Sequence, residues 1–509
     1  MIRYLYKNEY VALLVILSIA IILRLYFFVG ASIEDDLGFT GCAYGLYSGD
    51  FNFTTSDQSL RCMVYLPISC LYIISNDMGI ISTHAYHLFC SIVTILTVFF
   101  LARSLFGFKA AVYSAVFLTF IPIHIIYSSR IMPSLPETAW GGVAILLFVL
   151  NIIKKRNGLS VPSSQFIDTL VGLLIGMSYL CRETGIILLG VPLFYLYIKI
   201  LIHPQNSFNE VKNALYIFFG FFLVILIESL VCFSETGDWL YRWHTVKEAQ
   251  DVIGPSWTFY LESLFNIQSI NNFKLNLLDP HYSPLGFYGI FILISLIIYF
   301  PLNYRGPGKI IMMWFFCYFL FLSFGCSKIN PYTPIRKFLR YEILFLTPSS
   351  VMCGYMLAYL DKKGVRRLFV LIVLTLFIGS SLYYTRYNHE RYHTYYKGAK
   401  KVYRMIRQYV NPELPIFIDL FECAIFDYWD KYQSIYMYKE KEYFQEKNIT
   451  GAYVLSLEDD QGYYWFDYDE RIKTPSHWIK IGATELDYWE YFHPGFQPVL
   501  FYVPPQINK

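Results

Sequence analysis

The sequence predicts a polytopic α-helical membrane protein of about eleven transmembrane helices, followed by a small C-terminal α/β domain outside the membrane. Three observations predict it. Of 509 residues, 56% are hydrophobic and only 16% charged, which sets the chain apart from soluble globular proteins. Apolar windows long enough for roughly 30 Å of hydrocarbon recur up to about residue 384. Basic residues gather in alternate loops, as the positive-inside rule requires.

The windows lie near 10–30, 83–103, 109–127, 138–153, 168–181, 184–202, 213–233, 285–302, 309–325, 343–360 and 367–384. The first follows Arg3 and Lys7 and lacks a small-residue cleavage site, so it reads as a retained span and not a removed signal peptide. Arg182 and Glu183 interrupt the apolar run 168–202, and the interruption reads as a tight turn between two short helices. With the N-terminus cytoplasmic, the inner loops carry Arg103 and Lys109; Lys154, Lys155 and Arg156; Lys199 and Lys212; Arg305 and Lys309; and Lys362, Lys363, Arg366 and Arg367. The first outer loop, 31–82, holds a single basic residue, Arg61. Loops 234–284 and 326–342 and the tail then also lie outside, dividing the chain into a membrane-embedded part, 1–384, and an extracytoplasmic part, 385–509.

Two segments depart from the spanning pattern. "CMVYLPISCLYIIS" (62–75) is apolar but short and contains Pro67, which suits a helix lying along the membrane interface. In the tail, "KGAKKVYRMIRQYV" has helical spacing, "PIFIDL", "GAYVLSL" and "PVLFYVP" read as buried strands, and "FECAIFDYWDKY" as a helix between them. No repeat of 20–50 residues appears. The ten cysteines form no CxxC and no Cys/His spacing that would hold zinc, and a Cys42–Cys62 disulfide stays open. A net charge of +3 gives no reason to expect a nucleic acid partner.

The sharpest chemical signal follows the first span, where Glu34, Asp35 and Asp36 place three carboxylates beside the membrane. A lone acid there would be a solvated helix flank. Adjacent like charges raise one another's proton affinity, which suits either a metal site or a general base acting on a hydroxyl. A second signal is basic: loop 326–342 carries Lys328, Arg336, Lys337 and Arg340 against the positive-inside trend. Snorkelling side chains would explain it blandly. A phosphate clamp is the functional alternative, because the planar guanidinium matches a phosphate linking a sugar to a lipid, and Arg340, nearest the membrane, is the leading candidate. Arg130 with Glu137, and Arg182 with Glu183, sit at outer helix ends as interfacial ion pairs or as walls of the same cavity. Arg61 joins this substrate-binding set.

The order of several short motifs adds a resemblance. Arg24, the acidic pair after Gly30, then Ala43, Leu46, Gly49 and Asp50 in an A-x-x-L-x-x-G-D pattern, resemble the start of the type C fold (GT-C) integral membrane glycosyltransferases, whose relatives include protein O-mannosyltransferases, lipid A aminoarabinose transferases and oligosaccharyltransferases. "LFGFKAAVYSAVFLTFIPIHIIYSSR" (105–130), "LPETAW" with Glu137, "GLLIGMSYLCRETGIILL" (172–189) with Arg182, "TGDWL" (236–240) and "RKFLRYEILFLTPSS" (336–350) are similar to later family segments in the same order. The resemblance spans about residues 1–384 and implies a GT-C-like fold. It also implies that Asp35 or Asp36 is the catalytic base or a metal-binding residue; the Asp-Asp spelling, where the family often has Asp-Glu, leaves open which does which and whether a divalent metal takes part.

Some aromatics of the tail, "YYWFDYDE" (463–470) and "DYWEYFHP" (487–494), could stack on sugar rings, although such stretches more often form core. "NFT" (52–54) and "NIT" (448–450) are sequons on the expected outer side. No glycine-rich loop opens a helix after a strand and no Walker lysine is present, which favours a lipid-linked donor over a nucleotide sugar. The expectation is a hexosyl- or pentosyltransferase that moves a sugar from a polyprenyl-phosphate-linked co-substrate to a glycan, glycolipid or protein acceptor on the extracytoplasmic face, with membrane lipid as its surroundings. The rival reading is a secondary transporter or flippase of lipid-linked sugars, disfavoured because transporters place their ionisable residues near the bilayer midplane.

Overall fold

The computed structural model describes residues 2–30, 35–53, 57–156, 164–202, 204–249, 259–260, 288–303, 306–328, 333–335, 337–362, 367–411, 414, 416–418, 435–437, 452–459, 463–466, 470–473, 478–483 and 496–504. The apolar windows fold into helices, the state in which a lipid-embedded backbone satisfies its own N–H and C=O groups. In chain order these are α1 (Ile2–Tyr26), α2 (Asp35–Ser48), α3 (Cys62–Ser75), α4 (Ile80–Phe106), α5 (Phe108–Phe120), α6 (Pro122–Ile126), α7 (Ser134–Arg156), α8 (Ser164–Cys181), α9 (Ile187–Ile202), α10 (Ser207–Thr236), α11 (Tyr241–Ala249), α12 (Tyr288–Asn303), α13 (Lys309–Phe324), α14 (Glu342–Lys362) and α15 (Arg367–Tyr409).

Among the described residues, eight helices are long and apolar enough to cross a membrane, and a ninth crossing results if α5 and the following turn count as one bent span. The expected count was about eleven. The difference lies in α12 and α13, each 16 residues, shorter than the roughly 20 that a perpendicular span needs. The bend after α5 is 67°. It has a local cause: Pro122 lacks an N–H and crowds the preceding residue out of the helical region, leaving Ile121 extended at ψ 120°. The expected turn at Arg182 and Glu183 is also present, as a 3-10 segment, Glu183–Ile186, between α8 and α9. α3 buries Val64, Tyr65, Ile68, Ser69 and Tyr72.

α8 packs between α7 and α10, while α14 lies against α4 and α5. The α8–α10 contact is a backbone contact. A Cβ on Gly172 would lie 2.0 Å from the Ile217 carbonyl oxygen, and one on Gly220 would lie 2.1 Å from that of Thr169, so each glycine admits the other helix. At one end of the bundle the basic loops expected from sequence find acids that the loop count overlooked. Arg103 pairs with Glu9 at 2.8 Å, Lys155 with Asp168 at 3.1 Å, Lys109 with Asp361, and Lys199 with Glu210.

α15 continues unbroken for 43 residues, so the division expected between 384 and 385 falls inside a helix. Beyond it, β3 (Ile416–Ile418), β4 (Ile435–Met437), β5 (Ala452–Asp459), β6 (Tyr463–Phe466), β7 (Glu470–Lys473), β8 (Ile479–Ala483) and β9 (Phe496–Val503) form a seven-stranded mixed sheet; β1 (Cys326–Lys328) and β2 (Thr333–Pro334) pair separately. β3 runs parallel to β4 and β5, and β9 pairs antiparallel with both β5 and β8. Val454, Val499, Phe501 and Val503 form its small core against Trp478. The helix expected at 421–432, and the aromatic stretch 487–494, lie outside the described residues.

Gly172→Ala is expected to cost about 1–3 kcal/mol, as overpacking does, and to lower the thermal unfolding midpoint in detergent. Gly190→Ala, where an added Cβ would meet nothing within 4 Å, should leave that midpoint the same or higher.

Candidate functional site

The chain leaving α1 runs beside the segment that follows the Pro122 bend, and three contacts join them. Arg24 Nη2 lies 2.7 Å from His124 Nδ1, the Val29 amide donates to Ser129 Oγ at 3.0 Å, and Arg130 Nε donates to Asp36 Oδ2 at 3.2 Å. Gly30, at φ +82°, makes the turn between the second and third contacts, a left-handed conformation that favours glycine. The third contact is fully enclosed, with Asp36 0% and Arg130 3% exposed. Asp36 also lies in the first turn of α2, where the helix dipole favours a negative charge. The Thr40 hydroxyl donates to the Asp36 carbonyl at 2.7 Å, and the Arg130 guanidinium lies 5.4 Å from the Tyr127 ring.

The basic loop arrives from the other side. Tyr260 OH donates to the Phe338 carbonyl and accepts from the Phe338 amide, both at 3.3 Å, which pins the turn carrying Lys337, Arg340 and Tyr341. Arg340 reaches Met132, two residues past Arg130, with Nη1 3.4 Å from the sulfur, and its guanidinium sits 4.4 Å from the Phe338 ring centre. Arg182, at the end of α8, lies over the Tyr341 ring at 3.3 Å. Among the described residues its side chain donates no hydrogen bond, so its fork of donors is held by an aromatic face and left open. Lys337 is buried, and that burial pulls its ammonium down to about 8. Asp36, Arg130, Arg340, Arg182 and Lys337 therefore belong to one end of the bundle. Glu34 and Arg336 lie outside the described residues, as does the side chain of Asp35, whose backbone opens α2.

Residues adjacent in sequence part company here. Glu137, in the first turn of α7, accepts on Oε1 from Thr184 at 2.7 Å and Tyr318 at 3.0 Å, while its carbonyl accepts from Ser178. Glu183 turns away from Arg182 and meets Arg242, which donates to it from Nη2 at 3.0 Å and Nε at 3.2 Å; Arg61 lies 3.7 Å from the same carboxylate oxygen. Arg242 further donates to Glu228, to the Leu60 carbonyl at 3.0 Å and to the Tyr179 carbonyl at 2.9 Å. Burial opposes its charge, but Glu228 and then Glu183 outweigh that and hold the guanidinium above its ordinary range. This knot joins α8, α10, α11 and the residues just ahead of α3. Arg61, expected to bind substrate, lies at the edge of this knot. Glu228, an acid inside the apolar run of α10, was the available sequence signal for the knot.

Among the described residues, no group of three or more His, Cys, Asp or Glu side chains could hold a metal ion. Asp36 alone does not fit one. Its Oδ2 is taken by Arg130, and a guanidinium at 3.2 Å repels a divalent cation.

No protein-family model matches the sequence, and comparison with curated proteins returns no match. Solved structures do match in shape. ArnT from Cupriavidus metallidurans in the apo state is similar over 97% of this chain and 98% of that one, with a TM-score of 0.65 and 10% identity. The same protein bound to undecaprenyl phosphate gives 0.61 over 96% and 97%, again at 10% identity. The archaeal oligosaccharyltransferase AglB from Archaeoglobus fulgidus, in complex with an inhibitory peptide and a dolichol-phosphate, gives 0.54 at 13% identity over 85% of this chain. The chain spans 65% of the length of that archaeal protein. This chain shares its fold with ArnT and with the archaeal oligosaccharyltransferase.

Removing Arg242 would leave Glu183 and Glu228 without their buried cation. Arg242→Ala is expected to cost about 3–5 kcal/mol, read as a lower unfolding midpoint in detergent, whereas Arg61→Ala at the edge of the knot should cost less than about 1 kcal/mol.

Proposed function

We propose that this chain is a membrane glycosyltransferase that moves a sugar from a polyprenyl-phosphate-linked donor to an acceptor on the extracytoplasmic face. One observation carries the reading: an enclosed carboxylate, Asp36, and the cations Arg130, Arg182, Lys337 and Arg340 converge at one end of a bundle whose fold also serves proteins solved with undecaprenyl phosphate and dolichol-phosphate. In the proposed reaction the acceptor oxygen bonds to the anomeric carbon as the bond from that carbon to the phosphate oxygen breaks. The acceptor proton passes to the carboxylate pair Asp35–Asp36. The leaving lipid phosphate takes the electron pair of the broken carbon–oxygen bond and gains a negative charge, which the donors of Arg182 with Arg340 and Lys337 stabilise as it develops. Arg130 fixes Asp36 in direction.

In the proposed topology α12 and α13 cross a locally thinned bilayer, so that nine crossings become eleven. An odd count puts the two termini on opposite sides, and basic loops facing inward then put the N-terminus in the cytoplasm and the site and the C-terminal sheet outside. The sheet is then placed to meet the acceptor.

Asp35→Asn and Asp36→Asn, made singly and assayed for transfer from a synthetic polyprenyl-phosphate sugar, are expected to lower kcat on the order of 10²–10⁴-fold while the protein still binds polyprenyl phosphate. Full activity in both variants would sink the assignment. Lys337 supplies a pH test. A lysine pulled down by burial is charged below its shifted value and neutral above it, so affinity for polyprenyl phosphate should weaken as pH rises through about 8. Lys337→Met should bind more weakly throughout and flatten that dependence.

A further inference from the structure

Arg24 is 1% exposed, in the last turn of a membrane-spanning helix, and among the described residues no carboxylate lies within ion-pair distance of it. Its donors are used on neutral acceptors. Nε goes to Ser91 Oγ, Nη1 to the Ala20 carbonyl at 3.0 Å and Nη2 to His124 Nδ1 at 2.7 Å. His124 Nε2 in turn lies 2.8 Å from Thr94 Oγ1. Two separate arguments fix the imidazole tautomer. Arginine only donates, so Nδ1 must be bare. The one hydroxyl proton of Thr94 is committed to the Ser91 carbonyl at 2.7 Å, so Thr94 accepts from His124 and Nε2 carries the proton. A second proton on the ring would face the Arg24 guanidinium, donor against donor and charge against charge.

We propose that His124 is a positioning residue for the transfer reaction: held neutral between Arg24 and Thr94, it clamps the segment after the Pro122 bend to α1 and α4 and so sets Arg130 against Asp36. His124 occupies the five-residue helix α6, which the 67° break has cut loose from α5. Such a short helix has little stability of its own. Its register against α1 depends on the contacts at 24–124 and 29–129, and the third contact, at 36–130, inherits that register. His124 makes no contact with Asp36 and acts through the backbone between itself and Arg130.

The inference rests on the glycosyltransferase reading for its activity consequence but not for its structural one, and the test keeps the two apart. In His124→Ala, hydrogen exchange of the Val29 amide, which is bonded to Ser129, should quicken by roughly tenfold or more, and kcat should fall on the order of 100-fold, the effect of a small misplacement at a reacting centre, with the donor KM nearly unchanged. His124→Asn, whose carbonyl oxygen can replace Nδ1 as acceptor for Arg24, should recover most of both. Thr94→Val, which removes only the second anchor, should fall between them. Unchanged Val29 exchange in His124→Ala would overturn the proposal, and so would Ala and Asn variants that lose thermal stability alike while kcat per folded molecule stays at the wild-type value. If the wild type transfers no sugar from polyprenyl-phosphate donors, the functional reading fails and Val29 exchange still decides the role of His124.

Discussion

The ion pair between Asp36 and Arg130 is the contact on which the arrangement of the site depends. Both side chains are enclosed, so each has lost its water, and each charge offsets part of the other's desolvation. A pair this buried adds little net stability over an apolar replacement, because the attraction is spent on desolvation. What it does is fix direction. It sets the first turn of α2 against the segment that follows the broken helix.

Around that pair, arginines serve in two different ways. Arg242 has every arm engaged by carboxylates and carbonyls and binds α8, α10, α11 and the residues just ahead of α3 together. Arg182 and Arg340 rest on the rings of Tyr341 and Phe338, which attract a cation by its face. The first kind is spent on the protein itself. The second places its charge over an aromatic face, and Lys337, buried on the same turn as Arg340, adds a cation that its burial disfavours.

The fold was legible because its cause is local. Apolar length and alternating loop charge place helices without knowledge of what they touch, and even the break at Ile121–Pro122 follows from one residue's missing N–H. The crossing number was less so, since 16 apolar residues in α12 or α13 do not themselves say whether the bilayer or the helix yields. The site was legible in its members but not in its pairings. Glu183 follows Arg182 in the chain, yet the 3-10 turn sends the two side chains to opposite neighbours, Arg242 and Tyr341. Arg130 meets a carboxylate 94 positions away. Arg242 and His124 drew no notice because their meaning lies wholly in partners from other helices. The acids at the other end, such as Asp168 and Asp361, were masked by a rule that counts only lysine and arginine.

α15 has a mechanical consequence. Forty-three residues of unbroken helix amount to about 65 Å, roughly twice the thickness of the hydrocarbon layer. Its inner half packs among the other helices, and its far end carries the Tyr409 and Met405 side chains against Gly482 of β8. Midway, His389 touches the Phe28 carbonyl, just ahead of the Gly30 turn. The sheet is thus mounted on a stiff mast rather than hung from a tether. Any load on the sheet is delivered as a tilt of that mast, and the first point it would press on is the stretch of chain leading to the paired carboxylate.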